Sequence, residues 1–143
     1  MEAVMAIIGE DLKNLELQFR KDLHSDVPLI RKVTEYVISS GGKRIRPMLL
    51  ILSAYLSGYR GDRHVPIASV IEFIHTATLL HDDVVDNANL RRGQASANTL
   101  WGNQASVLVG DFLYCRSFAL MVADGDLRIL KLLANATTVL AEG

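Results

Sequence analysis

Three aspartates and two arginines lie close together in the middle of the sequence. Asp82, Asp83 and Asp86 end an apolar stretch, and Arg91 and Arg92 follow after a gap of four residues. If the segment is helical, Asp82 and Asp86 project from one face, about 6 Å of rise apart. Two like charges placed in this way repel each other by roughly 0.2–0.5 kcal/mol. The pattern therefore predicts that this pair holds a cation.

The carboxylates also indicate which cation they would hold. Oxygen ligands without a neighbouring cysteine favour Mg²⁺, or Mn²⁺, over zinc, and protein-bound Mg²⁺ is usually completed by water and substrate phosphates. Asp82 and Asp86 are the predicted ligands, whereas Asp83 points about 100° away and is expected to bond within the protein. A helix end in solvent is the alternative, but negative charge is unfavourable at a helix C-terminus. We therefore expect a metal–diphosphate site.

Cationic residues could form the phosphate-binding part of such a site. Arg91 and Arg92 suit bidentate phosphate recognition, and as neighbours in a loop they would point in different directions. Lys43 and Arg46 belong to a second cationic segment, residues 41–47. Its two glycines allow close approach of the backbone, and the start of a helix offers free N–H groups. By itself, that segment is explained equally well as a basic turn exposed to water.

Two histidines precede the aspartates. His75 lies seven residues before Asp82 on the same helical stripe, about 10 Å from it along the axis. Because a histidine on an apolar helix is often a core residue bonded to a backbone carbonyl, a binding role and a structural role are both open for His75. His81 lies off that stripe and is expected to be structural.

The apolar periodicity predicts an all-α antiparallel helical bundle with short connections. The predicted helices cover residues 2–24, 28–38, 44–59, 65–87, 103–123 and 126–142. A loop is predicted from Ala88 to Gly102. Ser25 and Asp26 are expected to cap the second helix, whose first turn contains Pro28. The helix at 65–87 is apolar on most of its surface, which is typical of the interior of a bundle.

Size and composition limit the possible classes of protein. The 143 residues are 50% hydrophobic and 22% charged, as expected for one globular domain or part of one. The formal net charge of −1 and the lack of a basic run beyond residues 43–46 give no indication of nucleic-acid binding. The single cysteine, Cys115, excludes an internal disulfide and suits a reducing cytoplasm. No signal peptide is evident, and the apolar run from Pro47 to Leu56 is too short to span a bilayer. We expect a cytoplasmic protein that does not span the membrane.

Four motifs together resemble the trans-polyprenyl diphosphate synthases, specifically the long-chain octaprenyl and solanesyl type. They are Gly41-Gly42-Lys43-Arg44-Ile45-Arg46-Pro47, Asp82-Asp83-Val84-Val85-Asp86, Arg91-Arg92-Gly93 and Val109-Gly110-Asp111-Phe112-Leu113. Their order and spacing resemble the family from about Val27 to the end of the sequence. The resemblance implies the isoprenyl synthase fold and a transfer that joins isopentenyl diphosphate to an allylic diphosphate. The implied product is a long-chain all-trans polyprenyl diphosphate, a precursor of quinone side chains.

The resemblance also implies a role for each candidate site residue. Asp82 and Asp86 would hold Mg²⁺ on the allylic diphosphate, and Arg91 would grip the same group. The diphosphate of isopentenyl diphosphate would bind to Lys43, Arg46, His75 and Arg92. Asp82, Asp86 and Lys43 would take part in catalysis.

Three further expectations follow from the resemblance. Ala77 and Thr78 are small where bulky aromatic residues would block a growing chain, which implies a long product. The last two predicted helices correspond to helices that form a homodimer interface in the family. The second aspartate-rich motif of the family has no match in these 143 residues. We therefore expect residues 1–143 to be the N-terminal portion of a single synthase domain, about six helices, and to be inactive or nearly so alone.

Two other functions remain open. His81 and Asp82 could be the central pair of an HD-type metal phosphohydrolase, but that site needs further histidines on neighbouring helices, and His24 and His64 are poorly placed for it. The chain could also be a non-catalytic subunit that binds diphosphates or a partner synthase. Bound iron or manganese with phosphate release from nucleotides would favour the first alternative. Binding without prenyl transfer from labelled isopentenyl diphosphate would favour the second.

Overall fold

The fold is built from helices whose apolar faces meet in a shared core. A computed structural model describes residues 2–40 and 42–143. The helices in these ranges are α1 (Glu2–Asp22), α2 (Pro28–Ser39), α3 (Ile45–Leu56), α4 (His64–Val85), α5 (Ala97–Trp101), α6 (Asn103–Asp124) and α7 (Leu127–Glu142). The predicted all-α bundle is confirmed, and each of the six predicted helices is present, with ends that differ by less than a turn.

The helix α4 lies at the centre and positions the aspartates. It packs against α6, α3 and α1. Val70, Phe73, Ala77 and Leu80 are almost completely buried along its length. Burial of a large apolar side chain contributes roughly 1.5–3 kcal/mol to the free energy of unfolding, so these residues anchor α4 in the core. The acidic end of the helix is therefore presented from a rigid support.

The segment from Ala88 to Gly102, which was predicted to be a loop, contains regular structure that the prediction lacked. Strands β1 (Leu90–Arg91) and β2 (Gln94–Ala95) form an antiparallel hairpin, and α5 follows it. The two turn residues, Arg92 and Gly93, have φ of 53° and 79°. Positive φ at both central residues is the signature of a two-residue type I′ turn. Strands of two residues are too short to produce a recognisable alternation in the sequence.

The start of α2 also differs from the prediction. Its N-cap is Val27, and no side chain caps the helix, although Pro28 occupies the first turn as expected. Ser25 bonds to the residue before the helix instead: its Oγ accepts a hydrogen bond from the backbone N–H of Val27 at 3.2 Å. The polar residues before Pro28 therefore stabilise the turn that leads into the helix.

Within residues 2–40 and 42–143, α6 is the one helix long and apolar enough to cross a membrane by length and composition. The apolar run at Pro47–Leu56, within α3, is shorter than α6. In the structure α6 packs along α4 and also contacts α2 and α5. Val109, Leu113 and Met121 of α6 are buried in the protein core. Its place in the bundle thus accounts for the apolar residues on its buried side.

Candidate active site

The three aspartates at the end of α4 have different surroundings. Asp83 is only 3% exposed, whereas Asp82 and Asp86 are exposed. The backbone N–H of Asp86 donates to the carbonyl of Asp82 at 2.8 Å, so the two residues lie one helical turn apart. In the part of the chain that the structure describes, neither carboxylate takes part in an ion pair. Free carboxylate oxygens at this spacing fit a hard divalent cation.

Asp83 is held by Arg91 instead. Nε of Arg91 donates to Oδ1 of Asp83 at 3.0 Å, and Nη2 donates to the same oxygen. This hydrogen bond raises the pKa of Arg91, and the charges of Asp83, Asp82 and Asp86 raise it further. Asp83 therefore bonds within the protein, as its direction on the helix predicted. Arg91 lies within electrostatic reach of all three carboxylates.

Arg91 and Arg92 are adjacent in the chain but occupy different parts of the hairpin. Arg91 is on strand β1, and Arg92 is the first turn residue. The guanidinium of Arg92 lies against the backbone of Gly42, where a Cβ would stand 2.9 Å from Nη1 of Arg92. The glycine thus permits the close approach that the sequence suggested. The two arginines have different neighbours, one the acidic end of α4 and the other the segment before α3. Gly41, the other glycine of that segment, lies outside the described residues.

Four of the predicted ligands line one open cleft of about 510 Å³. They are Lys43, Arg46, His75 and Arg92, and we call this space the cation cleft. Among the described residues, the side chains of Lys43, Arg46 and Arg92 form no ion pair. Three uncompensated cations facing one space create a strong attraction for an anion such as a diphosphate.

His75 is half-buried in the wall of the cation cleft. Burial lowers the pKa of its imidazole, the charges of Arg46, Arg92 and Arg91 lower it further, and Glu72 opposes them. Its imidazole is therefore neutral at neutral pH. In that form it can donate one hydrogen bond to a ligand without adding to the crowded positive charge.

A narrow cavity of about 50 Å³ adjoins the cation cleft. The two spaces share five lining residues, Ser40, Arg44, Glu72, His75 and Arg92. The cavity also reaches Asp83 and Arg91. The acidic end of α4 and the cation cleft are thus parts of one continuous surface, with the arginine pair between them.

The two residues predicted to set product length lie deeper on α4. Ala77 is completely buried in the core. Thr78 is half-buried, and its Oγ1 donates to the backbone carbonyl of His75 at 2.7 Å. Any larger side chain at Ala77 would have to displace its packed neighbours.

A contact that was not predicted from the sequence holds the acidic end of α4 against α6. Nε2 of His81 lies 3.2 Å from the carbonyl oxygen of Val107 and 3.4 Å from Oδ1 of Asp111. A Cβ at Gly110 would stand 2.3 Å from Nε2 of His81, so the imidazole occupies the space left by the glycine. His81 is therefore placed structurally, as expected. The available signal was a glycine inside a strongly apolar helix, which often marks close packing.

The described residues contain no group of three or more His, Cys, Asp or Glu side chains arranged to hold a metal ion. Among the described residues at the acidic end of α4, the exposed carboxylates that form no ion pair are those of Asp82 and Asp86. Such a pair suits a metal whose remaining ligands are water and phosphate. An HD-type site would need further histidines beside Asp82, and the described residues place none there.

Most of this chain matches the sequence pattern of one protein family. A profile of the family described as polyprenyl synthetase matches residues 27–143. The chain belongs to the polyprenyl synthetase family. The matched region contains all of the motifs discussed above and both the acidic end of α4 and the cation cleft.

Individual members of the polyprenyl synthetase family match the whole of this chain. The chain is 50% identical over 143 residues to octaprenyl diphosphate synthase of Escherichia coli (strain K12), a match that covers 100% of this chain and 44% of that protein. The all-trans-nonaprenyl-diphosphate synthase (geranyl-diphosphate specific) of Rhodobacter capsulatus is 41% identical over 141 residues, 98% of this chain and 43% of that protein. The chain thus spans less than half the length of these relatives.

A solved structure of a related protein has the same fold. The polyprenyl synthase of Caulobacter crescentus CB15, complexed with calcium and isoprenyl diphosphate, superimposes with a TM-score of 0.95 at 42% identity. The superposition covers 99% of this chain and 43% of that one. The expected isoprenyl synthase fold is therefore confirmed for the residues present.

Proposed function

We propose that this chain is the part of a trans-polyprenyl diphosphate synthase that carries the first aspartate-rich motif and the cation cleft. The reaction is the condensation of isopentenyl diphosphate with an allylic diphosphate to give a long-chain all-trans polyprenyl diphosphate, a precursor of quinone side chains. The observation that carries the proposal is the arrangement of two charged regions on one surface. One is the acidic end of α4, where Asp82 and Asp86 are exposed and form no ion pair within the described residues. Asp83 and Arg91 line the cavity that joins this end to the cation cleft, whose three cations Lys43, Arg46 and Arg92 are also unpaired among the described residues.

The acidic end of α4 would bind a divalent metal. Asp82 and Asp86 would hold Mg²⁺, with Mn²⁺ as a possible substitute, because both offer free carboxylate oxygens one turn apart. The related protein from Caulobacter crescentus is complexed with calcium and isoprenyl diphosphate, which supports binding of both a divalent cation and a diphosphate. When bound, the metal supplies positive charge that stabilises the departing diphosphate.

The arginine between the two regions would bind the allylic diphosphate. Arg91 uses Nε and Nη2 for Asp83, and this pair orients the guanidinium next to Asp82 and Asp86. Its Nη1 has no hydrogen-bond partner among the described residues, so it can donate to the phosphate oxygens. A guanidinium held in place before the substrate binds needs no reorganisation as negative charge develops on the leaving group.

The cation cleft would bind the diphosphate of isopentenyl diphosphate. Lys43, Arg46 and Arg92 would neutralise its charge, and neutral His75 would donate a hydrogen bond. Lys43 would also contribute to catalysis by holding this substrate beside the allylic group. The condensation would pass through an allylic cation, so the apolar side chains of α4, including Leu79 and Leu80 in the adjoining cavity, would exclude water from it.

The product length and the quaternary structure are also part of the proposal. Ala77 and Thr78 are small side chains below the aspartates, and we propose that the apolar product chain grows past them, which requires the packing around Ala77 to open. A homodimer would cover part of the apolar surface of α6 and α7, where Val122, Leu132 and Val139 are exposed. Exposed large apolar side chains on one face are often covered in a contact with another chain.

The proposed activity is tested with radiolabelled isopentenyl diphosphate, an allylic diphosphate primer and Mg²⁺. Two proteins are compared: the 143-residue chain, and a chimera in which it replaces the matching part of octaprenyl diphosphate synthase of Escherichia coli. We expect turnover by the chimera and little or none by the 143 residues alone. A folded chimera without prenyl transfer would contradict the proposal and favour the non-catalytic alternative.

The site assignment is tested in the same chimera. Asp82→Asn and Asp86→Asn remove one metal ligand each, and we expect each to lower kcat by about a hundredfold or more. Asp26→Asn is the matched control, because Asp26 is exposed and lines neither the cavity nor the cation cleft. Equal activity of all three variants would show that the carboxylates have no role in the reaction.

A further inference from the structure

Arg44 lies between two residues of the cation cleft but has a different environment. Its side chain is only 16% exposed, whereas Lys43 and Arg46 are exposed. Arg44 is the N-cap of α3 and has a left-handed backbone, with φ of 48° and ψ of 33°. For a residue other than glycine this conformation costs roughly 1–2 kcal/mol, so other contacts must hold it.

The guanidinium of Arg44 connects three helices. Nη1 donates to Oε1 of Glu72 on α4 at 3.0 Å, and Nε donates to Oε1 of Glu16 on α1 at 3.2 Å. Nη2 donates to the carbonyl oxygen of Ile38 in the last turn of α2 at 3.0 Å. The guanidinium also lies 5.1 Å from the centre of the Phe19 ring. All three nitrogens are thus used inside the protein.

Glu72 is the acidic residue that this arrangement controls. Its side chain is 7% exposed, and it is the one carboxylate among the described residues that line the cation cleft. It precedes His75 by three residues, so both lie on the same side of α4. A charged carboxylate left without a partner here would repel an anion in the cleft and would compete for its cations.

We propose that Arg44 is a positioning residue for the diphosphate site: it neutralises Glu72, so that Lys43, Arg46 and Arg92 stay available for the ligand. The inference depends on the proposed diphosphate-binding role of the cation cleft. Arg44 does not touch the ligand itself, because its three nitrogens already donate to Glu72, Glu16 and Ile38. It acts through the charge of Glu72.

The test measures binding of inorganic diphosphate to the 143-residue chain by isothermal titration calorimetry, with EDTA present so that no divalent metal contributes. Arg44→Gln is expected to weaken binding by about tenfold or more, because Glu72 is left charged beside the ligand. Glu72→Gln is expected to bind within about threefold of the unchanged chain, or more tightly. The double variant, Arg44→Gln with Glu72→Gln, is expected to recover most of the lost affinity.

The double variant separates charge neutralisation from a purely structural role. If Arg44 only holds the helices together, removing Glu72 as well cannot restore binding, and the double variant will be as weak as Arg44→Gln or weaker. That result would overturn the inference. Far-UV circular dichroism checks that each variant is folded.

A conservative variant keeps the test decisive if Arg44→Gln does not fold. Arg44→Lys retains a positive charge next to Glu72 but loses the forked geometry. We expect its affinity to stay within about threefold of the unchanged chain, and a loss of about tenfold would overturn the inference.

Arg63→Gln is the matched control. Nε and Nη2 of Arg63 donate to the carboxylate of Asp124 at 2.7 and 2.6 Å, and neither residue lines the cation cleft. This variant should be less stable but bind diphosphate with unchanged affinity. A matching loss of affinity in Arg63→Gln would mean that stability alone explains the effect of Arg44→Gln.

Failure of the inference can be told apart from failure of the proposed function. If the unchanged chain does not bind diphosphate, or if Lys43→Gln and Arg46→Gln bind it normally, the cation cleft is not the diphosphate site and both proposals fall. If Lys43→Gln weakens binding but Arg44→Gln does not, only the role of Arg44 is overturned.

Discussion

Asp83 accepts two hydrogen bonds from Arg91 and is buried, while Asp82, its neighbour in the chain, is exposed and unpaired within the described residues. One turn of helix thus contains carboxylates with two different roles. The buried one fixes the hairpin to α4, and the exposed ones remain available to a ligand.

The ion pair between buried Asp83 and Arg91 predicts that removing the charge of Asp83 lowers stability more than removing the charge of Asp82. Asp83→Asn leaves Arg91 without its charged partner, and we expect the free energy of unfolding to fall by about 1–3 kcal/mol. Asp82→Asn is the control and should change it by less than about 0.5 kcal/mol, or raise it slightly by relieving repulsion between carboxylates. Urea denaturation followed by circular dichroism measures both. Equal losses in the two variants would contradict the assigned roles.

The contact between Gly110 and His81 predicts opposite effects of alanine at two helical glycines. Gly110→Ala would place a Cβ 2.3 Å from Nε2 of His81, so the imidazole must move and α4 loses a contact with α6. We expect a loss of about 1–3 kcal/mol in the free energy of unfolding. Gly9→Ala meets nothing within 4 Å and should stabilise α1 by about 0.5–1 kcal/mol. A neutral Gly110→Ala would show that His81 is not held there.

The lowered pKa of His75 predicts a loss of stability in acid. The folded state binds a proton at His75 less readily than the unfolded chain does. The contribution of His75 to the free energy of unfolding is therefore present above the ordinary histidine pKa of about 6.5 and is lost as the pH falls below it. Arg46, Arg92 and Arg91 disfavour the imidazolium, and Glu72 favours it. Between pH values of about 7 and 5, the unchanged chain should lose more stability than His75→Gln. Parallel pH profiles in urea denaturation would contradict this.

The position of Ala77 predicts control of product length. In the active chimera, Ala77→Phe would place an aromatic ring where the growing chain is expected to lie, so shorter products should result. Ala68→Phe is the matched control, since Ala68 is equally buried nearer the start of α4. Both variants should lose about 1–3 kcal/mol of stability through overpacking. Thin-layer chromatography of the dephosphorylated products compares their lengths. Unchanged products from Ala77→Phe would reject this role.

Several features of the site could be predicted from the sequence because they depend on local geometry. The spacing of Asp82 and Asp86 places them on one helical face, and the same geometry turns Asp83 away from them. Adjacent arginines in a loop were expected to point in different directions, and Arg91 and Arg92 do have different neighbours. The helices themselves follow from apolar periodicity, which is a property of short sequence windows.

Other features were decided only by the tertiary structure, because they depend on residues far apart in the chain. The partner of Arg44 is Glu72, 28 residues away, and the space opposite His81 is provided by Gly110 on another helix. Nothing in the residues 41–47 distinguishes Arg44 from Lys43 and Arg46, since all three are cations in one basic segment. Burial against α1, α2 and α4 makes Arg44 an internal ion-pair partner, while exposure leaves the other two free for a ligand. The sequence alone therefore determined which charged residues are present near the site. The packing of the helices decided which of them form ion pairs inside the protein and which remain free for a ligand.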